Sequence, residues 1–147
     1  GWAVFMDCDM LCVDDIAELW GQRDERYSVQ VVKHDHQPEE DTKFLGAVQT
    51  KYEKKNWSSV MLFNCSKCRA LTPEYVSKAS GLDLHQFKWL QESDIGEIPP
   101  EWNYLVGTST GKASLVHYTI GGPYFPEYSK CEYSEAWFSE RFKALGL

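Results

Sequence analysis

An α/β fold is predicted, because short apolar strands that end in polar residues alternate along the chain with short, capped helices. Three stretches carry that reading: Val4-Phe5-Met6 runs into Asp7-Cys8-Asp9, Val60-Met61-Leu62-Phe63 into Asn64, and Leu115-Val116-His117-Tyr118 into the loop Thr119-Ile120-Gly121-Gly122-Pro123. With 147 residues the chain suits one domain with its own core, so 1–147 is taken as a single unit.

The elements follow in order. Trp2 to Met6 is an apolar and aromatic run, hence a strand. Asp14-Asp15 offers an N-cap ahead of Ile16-Ala17-Glu18-Leu19-Trp20, whose apolar residues recur at helical spacing before Gly21. Tyr27 to Lys33 alternates well enough for a strand, and His34-Asp35-His36-Gln37-Pro38 breaks it. Residues 37 to 56 are polar and of mixed charge, and read as a loop with one amphipathic turn around Phe44 to Val48. After the strand at Val60, Thr72-Pro73 opens a short helix, with Thr as cap and Pro in the first turn. Leu84 to Leu90 is predicted helical, and Ile98-Pro99-Pro100 ends what precedes it. The tail from Tyr133 to Leu147 carries Trp137, Phe138, Phe142 and Leu145 and is predicted to be an amphipathic closing helix.

Composition narrows the function classes. A net charge of −7 argues against a nucleic-acid partner, which needs clustered Lys and Arg, but leaves phosphate-bearing small molecules open through a bridging cation. No apolar run approaches the roughly 20 residues of a membrane span. Five cysteines form no disulfide framework, which points to a reducing compartment and the cytoplasm. The chain starts at Gly1 rather than Met, which leaves room for an upstream segment.

Asp7 and Asp9 come first among the chemistry-bearing residues. In an extended strand they share a face, with Cys8 turned the other way toward the core. Two carboxylates side by side suit a hard divalent cation that also takes phosphate oxygens; the plain alternative is a turn-starting Asp. His117 ends an apolar strand, the edge where open α/β sheets place ligands, and its imidazole is a candidate third metal ligand or simply a hydrogen-bonded core residue. Gly121 and Gly122 offer backbone N–H groups for a phosphate, or an ordinary tight turn. Asn64 is a candidate for a sugar hydroxyl, or a cap for the turn that follows. Cys65-x-x-Cys68, with Cys8 and Cys12, has zinc-like spacing, against which stand core cysteines. Trp57, Trp89, Trp102 and Trp137 serve either core packing or a sugar-stacking surface.

Taken together, VFMDCDMLCVDDIAELW, NWSSVMLFNC, EIPPEWNYLVG and SLVHYTIGGPYF resemble, in order and spacing, the later part of a GT-A-type nucleotide-sugar glycosyltransferase, close to glycosyltransferase family 8 and its bacterial relatives. The resemblance spans nearly the whole chain. It implies a partial GT-A (Rossmann-like) mixed sheet with flanking short helices, in which the nucleoside-binding half that precedes the D-x-D strand is missing. It implies Asp7, Asp9 and His117 as ligands of Mn²⁺ or Mg²⁺, Gly121 and Gly122 near the donor's phosphates, and Asn64 near the donor sugar. Gln86 falls where the family has an Asp-Gln pair near the reacting sugar, with His85 in place of the acid. The family's late lysine is absent from GGPYF, and Lys112 and Lys130 are the candidate substitutes.

The activity so implied is metal-dependent, retaining transfer of a sugar from a nucleotide-diphosphate-sugar donor, a UDP-sugar by preference, to a carbohydrate or other hydroxyl acceptor. The alternative is a non-catalytic binding or assembly module derived from a truncated glycosyltransferase. Without the preceding half, the Trp2–Met6 strand is expected to present a free edge through which copies of the chain pair.

Overall fold

The protein is described from a computed structural model, covering residues 1–35 and 53–146. Its strands form two sheets. The first holds four strands in the order β1 (Trp2–Met6), β4 (Val60–Asn64), β3 (Val29–Val31) and β5 (Ile95–Glu97). The second holds three, in the order β2 (Met10–Cys12), β7 (Leu115–His117) and β6 (Tyr104–Leu105). Both are mixed: β4 is antiparallel to β1 and β3, while β3 and β5 run parallel, as do β6 and β7.

At β4 the first sheet packs on both faces, as alternation along the strand requires, while Ala3 and Phe5 at the β1 edge stay exposed. Val60 and Leu62 of β4 join Leu19, Val32, Ile98, Trp102 and Leu115 in one core, which ties this sheet to the second. Met61 and Phe63 of the same strand turn the other way and pack against Val29, Val31, Ile95 and Phe87. Helix α1 (Ile16–Gly21) contributes Leu19, fully buried, to the first core, and Asp15 caps it by accepting from the Ala17 amide at 2.9 Å. The buried Gln30 of β3 fastens the segment after α1: its Oε1 accepts from the Asp24 amide and its Nε2 donates to the Gln22 carbonyl, at 2.7 and 2.8 Å. A third core, with Tyr104, Ala113, Val116 and Tyr118, lies on the second sheet.

Helix α2 (Pro73–Lys78) starts as its sequence indicates, with Thr72 Oγ1 accepting from the Tyr75 amide at 3.1 Å and Pro73 in the first turn. The helix expected over Leu84–Leu90 is displaced toward the N-terminus. Helix α3 spans Gly81–His85, because Ser80 and Asp83 form a capping box there and Phe87 takes a positive φ of 56° that ends helical geometry. The closing helix α4 (Ser134–Leu145) is present, but its apolar face is only partly used: Phe142 and Leu145 are more than half exposed while Trp137 and Phe138 are half-buried. The amphipathic turn expected at Phe44–Val48 lies outside the described residues.

The first strand ends at Met6, as expected, but the extended geometry expected to put Asp7 and Asp9 on one face does not continue through them. β1 ends at Met6 and β2 begins at Met10, so the D-x-D stretch is the turn that carries the chain from the first sheet to the second. Cys8 is consequently exposed rather than packed in the core. Among the described residues no helix is long and apolar enough to cross a membrane.

Candidate functional site

Pairing registers bring the site together. The last pair of the β1–β4 ladder is Met6 with Val60, and the Asp7 amide then donates to the Ser59 carbonyl at 2.9 Å. In the second sheet Met10 lies opposite His117, and the Tyr118 amide donates to the Asp9 carbonyl at 3.0 Å. Each aspartate is thus held by a different sheet, and the turn between them folds both carboxylates toward the imidazole. Side-chain ligand atoms of Asp7, Asp9 and His117 all lie within 4.8 Å of one another. His117 Nε2 is 3.5 Å from Asp9 Oδ1.

His117 is 3% exposed and its other ring nitrogen is occupied. Nδ1 lies 2.9 Å from Asn103 Oδ1, and Asn103, fully buried, gives its Nδ2 to the Asn56 carbonyl at 2.9 Å. Burial raises the Asp7 carboxyl above its ordinary range, opposed by a hydrogen bond from the Ser59 hydroxyl and by the nearby His117. His85 also lies close enough to act on Asp7, and its Nδ1 is 2.6 Å from Ser58 Oγ. Ser58, Ser59 and Asn103 are the site residues that reading the sequence missed. All three sit in polar–apolar mixtures, NWSSV and EWNYL, where the signal is a polar residue inside an otherwise buried run.

Gly121 and Gly122 are buried, four residues and more beyond His117. A Cβ on Gly122 would stand 2.3 Å from the Tyr124 ring, and one on Gly121 2.4 Å from the ring of Tyr128. Ring packing therefore accounts for both glycines. The Gly122 amide donates to the Tyr124 hydroxyl, which desolvation and the neighbouring Asp9 push above its ordinary pKa. Tyr124 is 48% exposed and leads into an aromatic group, with Trp137 at 5.6 Å and Phe125 at 4.7 Å between ring centroids.

Two expected residues stand apart from the triad. Asn64 is the β4 partner of Trp2, four residue steps from the Met6–Val60 end of the ladder, or about 13 Å at roughly 3.3 Å per residue. Its amide is already engaged, donating to Glu25 Oε2 at 3.0 Å and accepting from Ser66 Oγ at 2.6 Å. Lys112 pairs with Asp14 at 2.6 Å instead of replacing the missing lysine. Gln86 follows His85 directly at the end of α3, where its carbonyl accepts from Lys54 Nζ at 3.2 Å, and Lys54 also pairs with Glu92. Cys65 and Cys68 are free thiols whose sulfurs point to the backbone carbonyls of Phe63 and Ser28. Among the described residues Asp7, Asp9 and His117 make the one metal-compatible cluster.

No protein-family profile matches the chain. Protein CDI of Arabidopsis thaliana is 45% identical over 149 residues, which take in 95% of this chain and 58% of that protein. Two solved structures share the fold. An active-site mutant of LgtC, a glutamine-to-glutamate exchange, superposes with a TM-score of 0.58 at 17% identity over 99% of this chain and 60% of that one. The galactosyltransferase LgtC in complex with donor and acceptor sugar analogs gives 0.55 at 18% identity, over 98% and 60%. The fold is accordingly a partial GT-A fold, and the chain spans about 60% of the length of these structures and 58% of its curated relative.

Proposed function

We propose that Asp7, Asp9 and His117 hold a divalent cation, Mn²⁺ or Mg²⁺, and through it the diphosphate of a nucleotide-sugar donor. The chain would then carry the metal and donor part of a glycosyltransferase that moves sugar to a hydroxyl acceptor. The single observation behind this is the convergence of two carboxylates and one imidazole from the two sheets, with ligand atoms within 4.8 Å. Ligands about 2.1 Å from one ion lie roughly 3 to 4.2 Å apart, so the three groups need only a small contraction to share a cation. Two hard oxygens and one borderline nitrogen match Mn²⁺ or Mg²⁺, and the absence of sulfur from the set argues against a zinc thiolate centre.

When bound, the cation supplies Lewis-acid stabilisation to a leaving diphosphate. The residues of this chain do the rest by placement. The turn Asp7-Cys8-Asp9 orients the diphosphate, the buried β7 fixes His117 against it, and His85 with Ser58 presents polar groups on the Asp7 side. Gln86, next to His85, is assigned to the reacting sugar. The buried Gly121-Gly122 loop borders the diphosphate, with the Tyr124 hydroxyl beside Asp9. That LgtC binds donor and acceptor sugar analogs on the same fold supports a sugar-transfer reading, with a UDP-sugar as first choice of donor.

A second reading, donor binding or assembly without turnover, is favoured by one observation: Pro123 stands in the glycine loop and Lys112 is committed to Asp14, so neither supplies a cation to the phosphates. The discriminating experiment is release of UDP from UDP-glucose and UDP-galactose with Mn²⁺, for the wild type, Asp9→Asn and Gln86→Ala. Turnover that needs Asp9 and Gln86 supports transfer. Metal-dependent binding with no turnover at any acceptor supports the second reading, and neither binding nor turnover removes both.

A further inference from the structure

We infer that Asn103 is a positioning residue that fixes the tautomer and orientation of the His117 ring, so that the Nε2 lone pair faces Asp7 and Asp9. The inference begins at a backbone carbonyl. The Asn56 oxygen can only accept, so the atom of Asn103 that approaches it at 2.9 Å is the amide nitrogen. The amide oxygen of Asn103 then points the other way, to His117 Nδ1 at 2.9 Å. An amide oxygen also only accepts, so Nδ1 carries the hydrogen. In the neutral ring Nε2 is left bare, and it is Nε2 that stands 3.5 Å from Asp9 Oδ1.

Every member of the relay is held. Asn103 is fully buried, between Trp102 and Tyr104, which are 2% and 5% exposed, and the register of β6 with β7 sets Leu105 opposite His117. Asn56 is itself fixed in the left-handed region at φ 65°, a conformation that Asn tolerates better than most residues. Its carbonyl heads the turn that leads through Ser58 and Ser59 to β4, so the relay joins the segment beside Asp7 to the strand that carries His117. A metal-binding histidine commonly donates its second N–H in this way, and losing the acceptor typically weakens metal binding 10- to 100-fold. Without Asn103 the imidazole would be free to protonate Nε2 and to turn about its χ2 angle.

The consequence for metal binding rests on the cation site proposed above; the tautomer does not. The two are therefore measured separately. Metal-free protein labelled with ¹⁵N-histidine, with His117→Gln to assign the signals and at a pH where the ring is neutral, is expected to show Nδ1 protonated and Nε2 bare in long-range ¹H–¹⁵N correlation spectra. Asn103→Leu is expected to lose that single tautomer and to bind Mn²⁺ about 10- to 100-fold more weakly. Asn103→Asp gives up the bond to the Asn56 carbonyl but keeps an acceptor for Nδ1, and is expected to keep the tautomer and to lose less Mn²⁺ affinity than Asn103→Leu. A neutral wild-type ring with Nε2 protonated and Nδ1 bare overturns the inference. So does equal loss of Mn²⁺ binding in both variants with the tautomer unchanged, which would make Asn103 a packing residue only. A wild type with the Nδ1–H ring and no Mn²⁺ binding sinks the cation site while supporting the positioning of the ring, and if Asn103→Leu does not fold, the wild type and Asn103→Asp decide.

Discussion

His117 Nε2 lies 3.5 Å from Asp9 Oδ1 because β7 runs antiparallel to β2, with Met10 opposite His117. That contact is made by the second sheet alone, whereas Asp7 is anchored to the first through the Ser59 carbonyl. A cation shared by the three would therefore cross-link the two sheets. Binding to the folded state alone adds stability that grows with the ratio of free metal to Kd, so Mn²⁺ should raise the unfolding temperature of the wild type and not of Asp9→Asn.

Ser59 tunes the first carboxylate. Burial raises the Asp7 carboxyl above 3.8, and the Ser59 hydroxyl opposes the rise by stabilising the ionised form. Ser59→Ala should therefore move the Asp7 midpoint higher still. Carboxyl ¹³C titration of metal-free protein checks this, and a midpoint unchanged or lowered in Ser59→Ala would contradict it.

Gly122 is required by the ring of Tyr124. Adding a methyl group places a Cβ 2.3 Å from the outer edge of that half-exposed ring, so Gly122→Ala should push the ring aside and cost about 1 kcal/mol, the low end of overpacking. In a Tyr124→Ala background the same change should cost little. Urea midpoints of the two singles and the double give the coupling, and strict additivity would count against this account of the loop.

Acid stability has one well-defined contributor away from the site. Hydrogen bonds from Arg26 lower the Asp24 carboxyl from 3.8 to about 2. A depressed carboxyl adds its full stabilisation above the unfolded pKa, near 3.9, and loses it as pH falls through the folded value near 2. Arg26→Gln should thus flatten the pH dependence of the urea midpoint between about pH 4 and 2, and leave its slope above pH 5 unchanged. Equal slopes in the acid window for both proteins would refute the assignment.

Self-association is expected to use the edge of β1. Among the described residues β1 pairs with β4 alone, and Phe5 and Met6 on it are 44% and 38% exposed. An unpaired apolar edge templates pairing with a second strand, and a lysine there blocks it. Sedimentation velocity should show a concentration-dependent dimer that Phe5→Lys abolishes; a monomer at all concentrations would rule this out.

Much of the fold was legible because single elements carried their own signals. Asp15 and Thr72 cap where their chemistry says they should, β1 is apolar from end to end, and β4 is apolar as far as its closing Asn64. Of the second sheet only β7 was legible, within the Leu115–Tyr118 run. β2 and β6 are three and two residues long, too short to show a period of two, and only their pairing with β7 defines them. The triad was readable as residue types at the ends of strands, yet for a reason that differs from the one spacing suggested: Asp7 and Asp9 meet across a turn, not on one face of a strand. Asn64 lies elsewhere than the triad. A polar residue at a strand end looks like a ligand from sequence, but antiparallel pairing carries it to the far end of the ladder from Asp7. Ser59 and Asn103 showed in the sequence only as polar residues inside otherwise buried runs, and their roles depend on contacts made across the two sheets.

The most direct measurement is calorimetric titration of UDP into the wild-type protein with Mn²⁺, the same titration with EDTA, and a third into Asp9→Asn with Mn²⁺. Binding is expected in the first alone, since the diphosphate is held through a cation that needs Asp9. UDP binding of equal strength in all three, or no binding to folded wild-type protein in the presence of Mn²⁺, would show that the Asp7–Asp9–His117 cluster is not a metal–diphosphate site.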